Sequence, residues 1–143
     1  MYTLNFDLGP TGLSASQYMS KVAGNFSSVF PIGGAPGRLP GVGANVDLGV
    51  GPVPFPVYVS QRTATGWTFG TRPGHPDFGG SISFQFTKSG GRMRLQVRGY
   101  VPDYSLGACP VSVACWAFRK RIYRGVASRT WTPFANNLRA QGW

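Results

Sequence analysis

The chain has no glutamate, only four aspartates, one histidine and two cysteines among its 143 residues. Each shortage closes off a class of function. Asp7, Asp47, Asp77 and Asp103 face 14 lysines and arginines, for a formal net charge of +10. Most of those cations therefore have no internal carboxylate to pair with, and their field would steer an anionic partner. Ten of the 14 basic residues lie from Lys88 onward, so the positive field belongs to the second half of the chain. Cys109 and Cys115 are too few for a disulfide-stapled scaffold, and no second cysteine pair exists to complete a zinc site. A single bridge across ACPVSVAC and a pair of reduced thiols both remain open; reduced thiols fit a cytoplasmic chain. One histidine and two cysteines at this separation do not make a metal centre, so neither a metal nor a cofactor is expected. No apolar run approaches the roughly 20 residues of a membrane-spanning helix. The opening MYTLNFDLGP lacks both a basic leader and a long apolar stretch. A cytoplasmic protein is the expectation.

What is abundant is alternation. Residues 81-SISFQF-86 and 92-RMRLQVRGY-100, joined by 87-TKSGG-91, alternate apolar and polar side chains with period 2. Ile82, Phe84 and Phe86 share a face with Met93, Leu95 and Val97. Ser83, Gln85, Arg92, Arg94 and Arg98 point the other way. A one-residue slip would expose every apolar group, so the register is strongly specified. Further strands are predicted over 2–8, 45–50, 57–61 and 66–71, with short polar connections that imply antiparallel neighbours. Between the first two, 11-TGLSASQYMSKVAGNFSSVFP-31 places Leu13, Tyr18, Val22 and Phe26 near helical spacing. One helix or two short ones would fit, capped by Thr11 or Ser14 and stopped at Pro31.

Residues 31–56 are rich in glycine and proline. No strand precedes the stretch, no helix follows it and no Lys-Ser/Thr pair closes it, so it is not a phosphate-cradling loop. It reads as an exposed loop holding the short strand 45–50. Beyond Pro110, Trp116, Tyr123, Ala127, Trp131, Phe134 and Leu138 recur at helical intervals and mark a long amphipathic helix. Pro133 should kink that helix or restart it with Thr132 as the cap. The order is strand, helical segment, antiparallel strands, long terminal helix. That is an α+β domain over 1–143, and curling the sheet around the last helix buries both apolar stripes.

The element order and the segment 66-GWTFGTRPGHPDFGGSISFQFTKSGGRMRLQVRGYVPD-103 resemble the START-like, helix-grip superfamily of polyketide cyclases, lipid-transfer proteins and plant pathogenesis-related proteins. The segment is similar to a bacterial group reading roughly F-T-F-x-T-L-P-G-H-P-E-x-G-x-I-x-F-x-F. Pro73, Gly74, His75 and Pro76 stand at the matching positions, with Asp77 in place of Glu. The Gly/Pro-rich middle and Pro133 depart from the compact form of the fold. The resemblance implies a curved antiparallel sheet wrapped around the C-terminal helix, enclosing a cavity for a small apolar or aromatic molecule.

Lining residues on this reading are Trp67, Phe69, Phe84, Leu95, Arg98, Tyr100 and Trp116. A passive binder and a cyclase-like enzyme are both consistent with it. In the enzyme, His75, Tyr58 or Asp103 would relay a proton, His75 being the one side chain whose ordinary pKa lies near physiological pH. No Ser or Cys nucleophile can be set beside His75 from sequence, so no triad is proposed. The alternative is a nucleic-acid-binding module using the basic cluster 119-RKRIYR-124. The stripe of Arg92, Arg94 and Arg98 would also suit a phosphate backbone. Its face is expected to lack aromatic stacking groups, which argues against a single-strand platform.

Overall fold

The computed structural model describes residues 2–75, 79–100 and 128–143. Cys109, Cys115, Asp103, Trp116, the cluster 119–124, Pro76 and Asp77 lie outside these described residues. The chain runs β1 (Tyr2–Pro10), α1 (Ala15–Gly24), α2 (Phe26–Val29), β2 (Asn45–Val50), β3 (Val53–Thr63), β4 (Gly66–Thr71), β5 (Ser81–Ser89) and β6 (Arg92–Tyr100). A C-terminal helix follows over residues 128–140. The six strands form one curved antiparallel sheet in the order β1-β6-β5-β4-β3-β2.

The predicted hairpin is present, with its two apolar sets on one face. Phe84 lies opposite Val97 and Phe86 opposite Leu95, while Ser83 faces Arg98 and Gln85 faces Gln96. β5 runs on to Ser89, which shortens the connection to Gly90 and Gly91. Both have positive φ, at 59° and 75°. A two-residue turn of that hand matches the twist of the strands it joins, and glycine adopts it without a Cβ clash.

Ser14 caps α1. Its hydroxyl accepts from the Gln17 backbone N–H, and the Gln17 side chain accepts from the Ser14 N–H at 2.8 Å. Thr11 instead accepts from Leu13 N–H one turn earlier. Asn25 ends α1, its side-chain amide donating to Lys21 O, and α2 begins at the next residue. Tyr18, Met19 and Val22 of α1, with Phe26 and Val29 of α2, are buried against the sheet.

Only part of the Gly/Pro-rich stretch is loop. β3 starts at Val53, and Pro54 and Pro56 sit inside it, opposite Gly49 and Asp47 of β2. β4 pairs with β3 only from Val57 onward, so neither proline interrupts a ladder on that side. Residues before β2 are tied down as well. Leu39 is buried, its N–H donates to Ala23 O, and Gly37 O accepts from Phe26 N–H. Gly33 bridges to Gly49, so the segment folds against the edge strand β2.

In the C-terminal helix Trp131, Phe134, Ala135 and Leu138 are buried on one stripe at the predicted spacing. The helix passes through Pro133 without restarting at Thr132. Pro133 faces solvent, and the burial of the flanking aromatics outweighs the one backbone hydrogen bond a proline removes. The helix lies across the inner face of the sheet. Trp131 Nε1 donates to the Tyr2 hydroxyl at 3.1 Å, Asn137 Nδ2 to Val29 O at 2.9 Å and Arg139 Nε to Asp7 O at 2.9 Å. Among the described residues no helix is long and apolar enough to cross a membrane.

Candidate ligand site

Period-2 alternation puts Trp67 and Phe69 of β4, Phe84 of β5 and Leu95 of β6 on the inner face. Each is 2% exposed or less. Trp67 and Phe84, paired across strands, stack at 4.5 Å with an interplanar angle of 19°. Trp131 and Phe134 of the C-terminal helix meet Phe84 edge-on at 5.0 and 5.7 Å. From the opposite side Phe30, which ends α2, touches Phe69, Phe84, Trp131 and Phe134. The inner face between sheet and helix is therefore paved with aromatic rings, in the edge-to-face and offset geometries that ring quadrupoles favour.

One atom in this lining is anomalous. Trp67 Nε1 is buried without an acceptor, alone among the described side-chain nitrogens and oxygens. An unmet buried donor costs about 1–3 kcal/mol, because its bond to water is lost and not replaced. No buried polar or charged residue offers it a partner among the described residues.

The remaining expected residues that the structure describes do not join this cluster. Tyr58 is paired with Gly70, Arg98 with Ser83, and Tyr100 with Ser81, all on the outer face. Tyr58 and Tyr100 are 38% and 48% exposed. The outer face thus carries aromatic groups after all, contrary to the expectation that it would present only polar and cationic ones. The parity of β3 carries the signal: Val57 and Val59 point inward, so Tyr58 between them cannot. A second signal is the run of amides and hydroxyls that shares this face.

His75 is half-buried in the turn after β4. Its backbone N–H donates to Arg72 O at 3.1 Å, and its ring meets Phe55 edge-on at 5.2 Å. Burial pushes its pKa down from 6.5 to about 4, since the imidazolium loses hydration there. The ring is thus neutral at physiological pH. The turn itself is anchored by Arg72, which donates through Nε to Val57 O at 2.9 Å and pairs with Asp47 of β2.

The sign of the pH effect follows from that depression. Between pH 6.5 and 4 the unfolded chain takes up a proton at His75 that the folded chain refuses, so stability falls as pH falls through this window and levels off below it. Partial exposure of the ring moderates the effect. Thermal unfolding at pH 7 and pH 4.5 should show a drop in Tm that shrinks in His75→Gln. An unchanged drop would assign the sensitivity elsewhere. Asp7 does not confuse the window. Its hydrogen bonds from Arg92 and Gly9 hold its carboxyl below 3.8, so its contribution is lost only at lower pH.

No family model matches the chain, and no curated protein matches it. Solved structures do. The di-domain ARO/CYC StfQ from the steffimycin biosynthetic pathway is similar over 97% of this chain, at 12% identity and a TM-score of 0.60. The chain spans about half of that protein's length, 49%. Ara h 8.0201 is similar over 98% of this chain and 96% of its own, at 9% identity and a TM-score of 0.53. The Aha1 dimer from Colwellia psychrerythraea aligns over 82% of this chain and 90% of its own, at 15% identity and a TM-score of 0.49. The architecture is the helix-grip fold, shared with StfQ and Ara h 8.0201.

Proposed function

We propose that this helix-grip domain binds a small aromatic molecule between the inner face of its sheet and its C-terminal helix. The observation that carries the reading is the buried Trp67 N–H without an acceptor among the described residues, set within an aromatic lining. Ligand sites of this type are mostly apolar, with a few polar groups that fix orientation. A carbonyl or phenolic oxygen on the ligand would accept from Trp67 Nε1, and the rings of Phe84, Trp131 and Phe134, packed on one another without ligand, would part to sandwich it. The likeness to StfQ supports polycyclic ligands as the first class to try, since that protein belongs to the steffimycin biosynthetic pathway.

The test pairs two probes of similar shape, a carbonyl-bearing anthraquinone and the hydrocarbon anthracene, titrated by quenching of tryptophan fluorescence. Trp67→Phe keeps most of the packing and removes only the donor. The variant should bind the quinone about tenfold more weakly, the scale of one hydrogen bond to an otherwise unpaired buried group, and bind anthracene unchanged. Native mass spectrometry of the purified protein should also show a bound small molecule. Failure of both probes to bind, with no co-purifying molecule, would overturn the reading.

A cyclase-like activity is the finer version of the same proposal. Holding a reactive chain folded would lower the barrier by proximity, with His75 as the candidate base, a weak one because burial disfavours its imidazolium. His75→Ala should then abolish cyclisation of a poly-β-ketone while leaving binding intact. Turnover that survives the change would remove His75 as the base.

A further inference from the structure

The outer face of the sheet holds a groove that inner-face binding does not use. Two successive rows of outward side chains form it. Gln61, Thr68, Ser83 and Arg98 stand side by side on β3 to β6. Thr63, Gly66, Gln85 and Gln96 make the next row. Gly66 leaves a gap between its neighbours, and the groove encloses about 260 Å³.

Its polar groups are set in a definite pattern. Thr68 and Ser83 share a hydroxyl hydrogen bond at 2.9 Å. Gln85 Nε2 donates to Thr65 Oγ1 at 2.5 Å, and Gln96 Nε2 donates to Asn5 Oδ1 at 3.2 Å. Both amide nitrogens are thus engaged, which leaves the amide oxygens to accept from a ligand. Arg98 has no carboxylate or hydrogen-bond acceptor among the described residues, whereas Arg92, further along the same strand, is paired with Asp7. In the row beyond Arg98, Tyr58 and Tyr100 rise from opposite sides of Gly70 and Ser81. The Tyr58 ring lies over Gly70 so closely that a Cβ there would come within 2.5 Å of it, so the ring is spread along the sheet with solvent beyond.

We infer that this face binds single-stranded nucleic acid, with one nucleotide in the groove. Arg98 takes a phosphate, the Gln85 and Gln96 oxygens accept from a base amine or a ribose hydroxyl, and Tyr58 stacks the neighbouring base. Three features select this occupant. Among the described residues the one charged group in the groove is a cation without a carboxylate partner, in a chain of net charge +10, which favours an anion over a neutral glycan. Side-chain amides offer in-plane hydrogen bonding suited to base edges. An exposed ring spread on a sheet can stack only bases that are already unpaired, which disfavours a duplex.

Fluorescence anisotropy with a short labelled polyuridylate, and with a duplex of equal length, tests the inference. The single strand should bind more tightly than the duplex, with an affinity that falls steeply as salt rises. Arg98→Ala and Tyr58→Ala should each weaken it about tenfold. Both side chains are exposed, so the fold should persist, and anthraquinone binding at the inner face should be unchanged. In a uridine dinucleotide titration the backbone amide resonances of Thr68, Ser83 and Gln85 should shift. Absence of binding at low salt, equal affinity for duplex, unchanged affinity in both variants, or displacement by a neutral oligosaccharide would each overturn it. Loss of affinity only on replacing Arg119, Arg121 and Arg124 would do the same.

Discussion

Truncation of Phe84 to alanine is expected to destabilise the fold by about 3–5 kcal/mol, the range found when a fully buried aromatic is deleted. Phe84 is 1% exposed and lies at the centre of the inner layer, against Trp67, Phe30, Trp131 and Phe134. Those neighbours come from β4, the end of α2 and the C-terminal helix, which cannot all collapse toward one vacated site. The cavity should therefore persist, and the cavity contribution should add to the lost transfer free energy. Urea unfolding followed by circular dichroism would read the change as a fall in midpoint at constant slope. Phe84→Leu should cost roughly 1–2 kcal/mol, because most of the volume is kept. A loss below about 1 kcal/mol for the alanine variant would mean that the helix does not press on the sheet as described.

The second large effect is expected from the smallest of changes. A Cβ at Gly66 would overlap the carbonyl oxygen of Phe84 and lie 2.8 Å from Gln85 Oε1. The Gln85 side chain can move away. The Phe84 carbonyl belongs to the neighbouring strand β5, opposite β4 in the sheet, so relief requires the two strands to separate. Gly66→Ala should cost about 3 kcal/mol, the upper part of the range for overpacking. Its unfolding midpoint, compared with that of Gly12→Ala, where a Cβ would meet nothing within 4 Å, isolates the clash. Equal midpoints would show that β4 and β5 have slack at this corner.

Much of the fold is legible in the sequence, because the information is local. The β5–β6 hairpin, β2 and β4 each follow from period-2 alternation and glycine turns, and the stripe Trp131, Phe134 and Leu138 follows from helical spacing. The start of β3 does not follow. Pro54 and Pro56 read as punctuation, and they fit a strand only because β4 ends before reaching them, which is a tertiary fact. Pro133 is similar: its local preference yields to aromatic burial on either side. The inner aromatic lining is legible from parity. Chemistry alone assigns Tyr58 and Tyr100 to a pocket as its polar groups, whereas the parity of Val57, Val59, Val97 and Gly99 places them outside. The indole of Trp67, without an acceptor among the described residues, has no trace in sequence, since it depends on which groups the packed elements bring near it.

The position of β1 carries a consequence for how the protein is made. Strands β2 to β6 follow one another along the chain and pair as a meander, so each can zip onto the last as it emerges from the ribosome. β1 is synthesised before them but pairs with β6, and Trp131 reaches back to Tyr2 across 129 positions. Closing loops of that span delays the gain from contact until β6 and the C-terminal helix have emerged. Until then the inner side of β1, with Leu4, Phe6 and Leu8, has no sheet to join. An apolar strand left unpaired over that interval is open to aggregation, so the slow step and the vulnerable one coincide.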